Sequence, residues 1–78
     1  MINMLEKKLL SILADMDSNL KGFFVEDYEE QVKQEHNYTT EEYISRLIEE
    51  IPSMKEETDE ENISLYNWLE SELKSLKK

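Results

Sequence analysis

The sequence predicts an all-α fold, namely a small antiparallel bundle of three to four helices in one acidic domain spanning residues 1–78. Three observations support this prediction. Apolar residues recur at steps of three and four positions, which places them on one face of a helix. The 78 residues include one glycine and one proline, so few positions interrupt a helix. No stretch alternates apolar and polar residues as a half-buried strand does.

The first helix is predicted from about Asn3 to Asn19. Gly22 is expected to end it, because glycine adopts the left-handed conformation of a helix end without steric cost. A second, shorter helix follows and ends near His36. The apolar face of the first helix consists of Leu5, Leu9, Ile12, Leu13, Met16 and Leu20, and that of the second of Phe24, Val25, Tyr28 and Val32.

The third helix has the clearest start signal. Thr39 and Glu42 have the spacing of a capping box, and Tyr38 and Tyr43 have the spacing of a hydrophobic staple. Its apolar face is Tyr43, Ile44, Leu47, Ile48 and Ile51. Pro52 is predicted to end the helix, because the residue before a proline is pushed away from helical geometry.

The last helix follows a polar linker, Ser53 to Glu57. Thr58 and Glu61 form a second possible capping box at its start. Its apolar stripe is Ile63, Tyr66, Leu69, Leu73 and Leu76. Lys74, Lys77 and Lys78 lie at its carboxyl end, where the helix dipole favours positive charge.

Charge is distributed unevenly along the chain. Fourteen acidic and three basic residues lie between Glu26 and Glu61, whereas the first 22 residues have no net charge. The acidic stretch attracts cationic surfaces and repels phosphate, so direct nucleic-acid binding is not expected. No apolar run is long enough to cross a bilayer, no cysteine is present, and the amino terminus does not resemble a secretory signal. We therefore expect no membrane association and a cytoplasmic protein.

Catalysis is not expected. His36 is the single histidine, and a catalytic histidine needs a nucleophile to activate or a carboxylate to orient it. The sequence contains no glycine-rich phosphate loop and no nucleophile elbow. The many carboxylates are expected on solvated convex faces of a small bundle, without the cleft that shifts a pKa for acid–base chemistry. We expect no enzyme and no cofactor.

The turn from Asp15 to Glu26 resembles a calcium loop of the EF-hand type. Starting at Asp15 gives oxygen ligands at loop positions 1, 3, 5 and 12, but places Leu20 where glycine belongs. Starting at Asp17 places Gly22 correctly and loses the ligands at positions 5 and 12. Neither register gives a complete cage, and the expectation is a polar turn between helices with no metal.

Two further family resemblances are partial. Length, acidity, helix content and the stretch Phe24 to Asp27 are similar to acyl carrier proteins, but the Asp-Ser-Leu motif that carries their phosphopantetheine arm is absent. The segment Tyr38 to Tyr43 resembles the opening helix of colicin-type nuclease immunity proteins. Here this segment lies mid-chain, and the Tyr-Tyr-Pro segment of that family is missing. Immunity proteins and phage anti-defence inhibitors share with this chain a physical property, an acidic surface able to occupy a basic groove.

The predicted function is therefore binding of a partner protein with a basic surface, as an inhibitor or immunity-like protein. An apolar surplus on the last helix could supply aromatic anchors. The residues expected to bind the partner are Glu26, Asp27, Glu29, Glu30, Glu41, Glu42, Glu49, Glu50, Leu65 and Trp68. High Glu, Lys, Ile and Asn contents suggest a bacterium or its phage as the source.

Two alternatives remain open. The chain could be a structural or regulatory homo-oligomer that pairs through the last helix, where Leu65 and Trp68 widen the apolar stripe. Those two side chains could equally complete the core of the bundle. The acidic residues could also do no more than keep a small protein soluble and monomeric.

Overall fold

The computed structural model describes residues 4–77, which form four α-helices. Helix α1 spans Met4–Leu20, α2 spans Phe24–Tyr28, α3 spans Thr40–Glu57 and α4 spans Ile63–Leu76. A π-helical turn, Glu29–Gln34, continues α2, and a 3-10 turn, Glu60–Asn62, leads into α4. No strand occurs in this part of the chain. The prediction of an all-α bundle is confirmed.

The core lies where α4 packs against both α1 and α3, with α2 covering α1. Ten hydrophobic side chains are buried. No polar or charged residue among residues 4–77 is buried. The buried side chains are Leu9, Leu13, Met16, Tyr28, Tyr43, Ile44, Leu47, Ile51, Leu69 and Leu73. All of them belong to the apolar faces predicted from the sequence, so the helical periodicity identified the core correctly.

The end of α1 differs from the prediction. Lys21, with φ of 55°, takes the left-handed conformation in place of Gly22, whose φ is not positive. A Cβ atom on residue 22 would lie 3.3 Å from Asp17 Oδ1, closer than most Cβ contacts. A side chain at residue 22 would therefore crowd the Asp17 carboxylate, and the left-handed conformation at the helix end is taken by Lys21, at a steric cost that glycine would not have.

The second helical segment begins at Phe24, the first residue of its predicted apolar face, and widens after Tyr28 into the π-helical turn. The Glu35 amide donates to the Glu30 carbonyl at 2.8 Å, five residues earlier, which is the π-helical pattern. The segment ends at Gln34, two residues before exposed His36, which has φ of 55°. The predicted end near His36 is confirmed.

The start of α3 is the capping box predicted from the sequence. The Glu42 amide donates to Thr39 Oγ1 at 3.1 Å, and the Thr39 amide donates to Glu42 Oε1 at 2.9 Å. Two amides that lack partners at a helix start are thereby satisfied. Tyr38, the residue before the cap, is half-buried against the core.

The predicted end of α3 at Pro52 is wrong. The helix continues through Pro52 to Glu57, so the expected polar linker Ser53 to Glu57 is its last turn and a half. Contacts on either side of the proline hold the helix. Ile51 is buried, and Lys55 donates to Asn67 Oδ1 of α4 at 2.9 Å. These contacts outweigh the hydrogen bond that a proline removes from a helix interior.

The predicted capping box at Thr58 and Glu61 is also wrong. The Thr58 amide donates to the Met54 carbonyl at 3.0 Å, so Thr58 closes α3. The 3-10 turn then leads into α4 without a side-chain cap. Leu69 and Leu73 of the predicted stripe are buried, and its other members are half-buried. Lys74 lies in the last turn of α4 as predicted, and Lys78 lies outside the described residues.

Candidate functional site

The candidate site is an open groove of about 450 Å³ between α2 with its π-helical turn and α3. We call it the α2–α3 groove. It is lined by Phe23, Phe24, Asp27, Gln31, Tyr38, Tyr43, Arg46, Leu47, Glu50 and Met54. Apolar side chains, two carboxylates and one guanidinium thus share one concave surface. Such a mixture is typical of a surface that recognises a specific ligand.

Asp17 positions one wall of the groove. Its carboxylate accepts hydrogen bonds from the backbone amides of Phe24 at 2.6 Å and Val25 at 3.0 Å. These amides begin α2 and have no partner within that helix, so Asp17 caps α2 from α1. Gly22 leaves room for the Asp17 carboxylate, which would lie 3.3 Å from a Cβ atom at that position. The cap fixes where the adjacent Phe23 side chain leaves the backbone.

Phe23 is the most exposed large hydrophobic residue among those described, with 74% of its surface accessible. Its neighbour Phe24 is half-buried and packs against the core. The side chains of two adjacent residues at a helix start point in different directions, so only one of the two phenylalanines can pack against the core. The other, Phe23, lies at the edge of the α2–α3 groove.

A tyrosine–carboxylate bond forms part of the groove. The Tyr43 hydroxyl donates to Asp27 Oδ2 at 2.6 Å. Burial, together with this hydrogen bond, raises the pKa of Tyr43 well above its usual value. The Tyr43 ring meets the Tyr28 ring edge-on, with centroids 5.3 Å apart. Asp27 is therefore held by a protonated, rigidly packed partner although the residue itself is exposed.

Tyr28 connects α2 to α3 through Thr40 and to α1 through Glu6. Its hydroxyl lies 2.8 Å from Thr40 Oγ1, and burial raises the pKa of Tyr28. Lys33 of the π-helical turn reaches α1 and pairs with Glu6 at 2.6 Å. The hydrogen bond from Lys33 lowers the pKa of Glu6 and raises that of Lys33. The Lys33–Glu6 pair thus attaches the π-helical turn to α1, and the Asp17 cap attaches the start of α2 to the other end of α1.

Arg46 is the basic residue of the groove. Its guanidinium carbon lies 4.8 Å from the centroid of the Tyr38 ring, a cation–π arrangement. Arg46 Nη2 also lies 3.4 Å from Glu50 Oε1. Because both partners are exposed, this ion pair contributes little to stability. The groove thus already contains a guanidinium held between an aromatic face and a carboxylate.

All eight acidic residues predicted to bind a partner are exposed. Asp27 and Glu50 line the α2–α3 groove. Glu41 and Glu42 line a second, wider groove of about 750 Å³ beside Tyr38 and Arg46. The remaining residues line neither groove; they are Glu26, Glu29, Glu30 and Glu49. The structure therefore gathers four of the eight predicted acidic residues at two concave surfaces.

The two residues predicted on α4 differ from each other. Leu65 is half-buried and packs against the core. Trp68 has 36% of its surface accessible. Neither lines the two grooves, so the α4 surface is separate from the α2–α3 groove.

The candidate calcium ligands have other roles in the structure. Both oxygens of Asp17 accept backbone amide hydrogen bonds, and the Asn19 side chain donates to the Asp15 carbonyl at 2.8 Å. Within residues 4–77 no three histidine, cysteine or acidic side chains are arranged to hold a metal ion. His36 is exposed at the end of its helical segment.

Sequence reasoning missed Phe23, Tyr38 and Arg46 as members of a surface site. A signal for Phe23 was present, because two adjacent phenylalanines after a glycine exceed what one helix face can bury. Tyr38 was expected to staple α3, and Arg46 was noted only as an interruption of the acidic stretch. Their contact depends on a turn between two helices, which helical periodicity does not describe.

Comparison of the chain with models of protein families, with curated proteins and with solved structures gave no match. The helices formed by residues 4–77 include none with the length and apolarity required to cross a membrane. A function for this chain therefore has to be argued from the geometry and charge of its own surface.

Proposed function

We propose that this chain is a small acidic protein-binding module, of the inhibitor or immunity and anti-defence type, that engages a basic surface of a partner protein. The observation that carries the proposal is the α2–α3 groove, where exposed Phe23 lies beside the carboxylates of Asp27 and Glu50. An exposed aromatic side chain with acidic neighbours offers a partner both buried contact area and charge complementarity.

The charge distribution supports the same proposal. Residues 26–61, which form most of α2, the π-helical turn and α3, contain fourteen acidic and three basic residues. Residues 62–78, which include α4, contain two acidic and three basic residues. The segment of residues 26–61 is thus strongly negative, and the segment that includes α4 is nearly neutral. A cationic partner is attracted to the negative segment, and its association slows as salt screens the field.

Neither a catalytic role nor direct binding of nucleic acid forms part of this proposal. The hydroxyl of Tyr43, the most perturbed titratable group among the described residues, serves to hold Asp27. The proposed site of action is cytoplasmic, and no cofactor or metal is required.

The test begins by immobilising the protein, exposing it to host lysate and eluting in salt steps. A basic protein released at moderate salt is then purified and its association rate with this chain is measured against ionic strength. We expect the rate to fall steeply with salt. If the rate does not depend on salt, or if no basic protein is recovered, the proposal is wrong.

A pair of charge-reversal variants tests the location of the binding face. Glu49→Lys with Glu50→Lys should weaken binding of the purified partner by about tenfold or more. Glu56→Lys with Glu57→Lys makes the same charge change on exposed residues of the same helix, away from the groove. This control should weaken binding by about threefold or less. Circular dichroism of both variants checks that the fold is unchanged. Unaltered affinity in the first variant would contradict the proposal.

The second candidate function is a structural or regulatory homodimer that pairs through α4. It is favoured by the partly exposed Trp68 on a segment with little net charge, since two such surfaces can meet without strong repulsion. Sedimentation at micromolar concentration should then show a dimer that Trp68→Ala disrupts. Leu65→Glu should disrupt it as well, but Leu65 packs against the core, so a folding control is needed for that variant. A monomer at every concentration would eliminate this candidate.

A further inference from the structure

We propose that the α2–α3 groove binds a partner segment in which an arginine lies beside a large apolar side chain. This inference rests on the proposed function and specifies the chemistry of the partner at one place. The apolar side chain covers Phe23, and the guanidinium binds the carboxylates of Asp27 and Glu50.

The apolar half of the recognition follows from burial. Phe23 exposes 74% of its surface, while Phe24, Leu47 and Met54 form the adjoining apolar lining of the same groove. A side chain placed against Phe23 removes both surfaces from water. The cap from Asp17 holds the backbone beside Phe23, so the position from which the Phe23 side chain extends is already ordered before binding. Aromatic residues held in this way are the usual energetic centres of protein interfaces.

The charged half follows from the carboxylates. Tyr43 holds Asp27 through Oδ2 at 2.6 Å, and Oδ1 has no hydrogen-bond partner among the described residues. Tyr43 thus holds one oxygen of Asp27 and leaves the other available to accept from a partner. Glu50 is exposed on the opposite wall, where its only described partner is Arg46 at 3.4 Å. Two carboxylates at one groove favour a donor that can bind both through several N–H groups.

Arg46 indicates which cation fits. Its planar guanidinium packs on the Tyr38 ring at 4.8 Å and meets Glu50 at the same time. A guanidinium stacks on an aromatic face and donates in its own plane, whereas an ammonium is a compact and strongly hydrated charge. The groove therefore has the surfaces that an arginine uses, and a partner arginine would share Glu50 with Arg46.

Three synthetic peptides of twelve residues with the same net charge test the chemistry by calorimetry. One contains four arginines and three leucines, the second has lysine at each arginine position, and the third has serine at each leucine position. The first peptide should bind about fivefold more tightly than the second and about tenfold more tightly than the third. Equal affinity for all three, or no binding of the first at millimolar concentration, would overturn the proposal.

Two matched pairs of variants test the location with the first peptide. Glu50→Gln and Glu49→Gln remove the same charge from adjacent exposed residues, but only Glu50 lines the groove. Phe23→Ser and Trp68→Ser each remove an exposed aromatic ring, but only Phe23 lines the groove. We expect Glu50→Gln and Phe23→Ser to weaken binding by about fivefold or more, and their controls by less than about twofold.

The outcomes separate this inference from the proposed function. Equal losses in Glu49→Gln and Glu50→Gln, with no loss in Phe23→Ser, would show binding to the acidic surface at large. That result would overturn the groove proposal and leave the proposed function intact. Loss of binding in Trp68→Ser alone would locate the contact on α4 and overturn both.

Discussion

Removal of the Asp17 carboxylate should destabilise the protein by releasing the start of α2. In Asp17→Ala the amides of Phe24 and Val25 lose bonds of 2.6 and 3.0 Å to a charged acceptor. A helix cap contributes about 0.5–2 kcal/mol, and a hydrogen bond to a charged group about 1.5–3 kcal/mol. Because this site is partly open to water, which replaces some of what is lost, we expect a net loss of about 2 kcal/mol.

The helix dipole provides an internal control for this prediction. Asp17 and Asp15 both lie near the carboxyl end of α1, where a negative charge is unfavourable. Asp15→Ala relieves that repulsion, and the Asp15 carboxylate has no hydrogen-bond partner among the described residues. The free energy of unfolding of this variant should therefore differ from that of the wild type by less than about 0.5 kcal/mol. The difference between the two variants isolates the cap. Asp17→Asn keeps one good acceptor without the charge and should lose about 1 kcal/mol.

The measurement is urea unfolding followed by circular dichroism, with thermal unfolding as a second probe. For a domain of this size, 2 kcal/mol corresponds to a fall of about 8–16 °C in the midpoint temperature. Amide hydrogen exchange adds a local readout, since the amides of Phe24 and Val25 should exchange faster in Asp17→Ala. If Asp17→Ala unfolds within about 0.5 kcal/mol of Asp15→Ala, the cap does not stabilise α2 and our account of the groove wall is incorrect.

Three further predictions concern other contacts of the fold. Pro52→Ala restores a backbone hydrogen bond inside α3 and should raise the free energy of unfolding by about 1 kcal/mol or more; a loss of stability in urea would contradict this. Lys33 lowers the pKa of Glu6, so the stability contributed by Glu6 is present above about pH 4.5 and is lost as pH falls through the lowered pKa. Glu6→Gln should therefore flatten the acid limb of the stability–pH curve, and an unchanged limb would refute the role of that pair. Tyr43→Phe removes the donor to Asp27 and should cost about 1 kcal/mol at neutral pH by thermal unfolding, while an equal stability would show that the bond contributes nothing.

Features of the sequence that act over a few residues were predicted well. The periodic apolar residues predicted which side chains form the core, because a helix buries one face whatever it packs against. The capping box at Thr39 and Glu42 forms as expected, because both partners lie in the same turn. These signals need no knowledge of the rest of the fold.

Features decided by contacts between helices were not predicted. Pro52 is a strong local reason to end a helix, but Lys55 and the buried Ile51 hold α3 together on either side of it. The role of Gly22 depends on how closely the Asp17 carboxylate approaches it. That carboxylate accepts a hydrogen bond from the amide of Phe24, which lies seven residues later in the chain. The α2–α3 groove arises from the same kind of contact, since it needs Tyr43 and Asp27 to meet across two elements. No pattern within one helix describes such a pair.

The π-helical turn determines how the side chains at the two ends of the second helical segment are rotated relative to each other about the helix axis. In an α-helix, residues five apart face different directions, but i→i+5 bonding brings them to the same side. Tyr28 and Lys33 are five apart, and both interact with Glu6 of α1. Deleting one residue from Glu29–Gln34 would restore α-helical winding and rotate one of these contacts away from α1. The length of this turn therefore keeps Lys33 on the side of the segment that faces α1, where it pairs with Glu6.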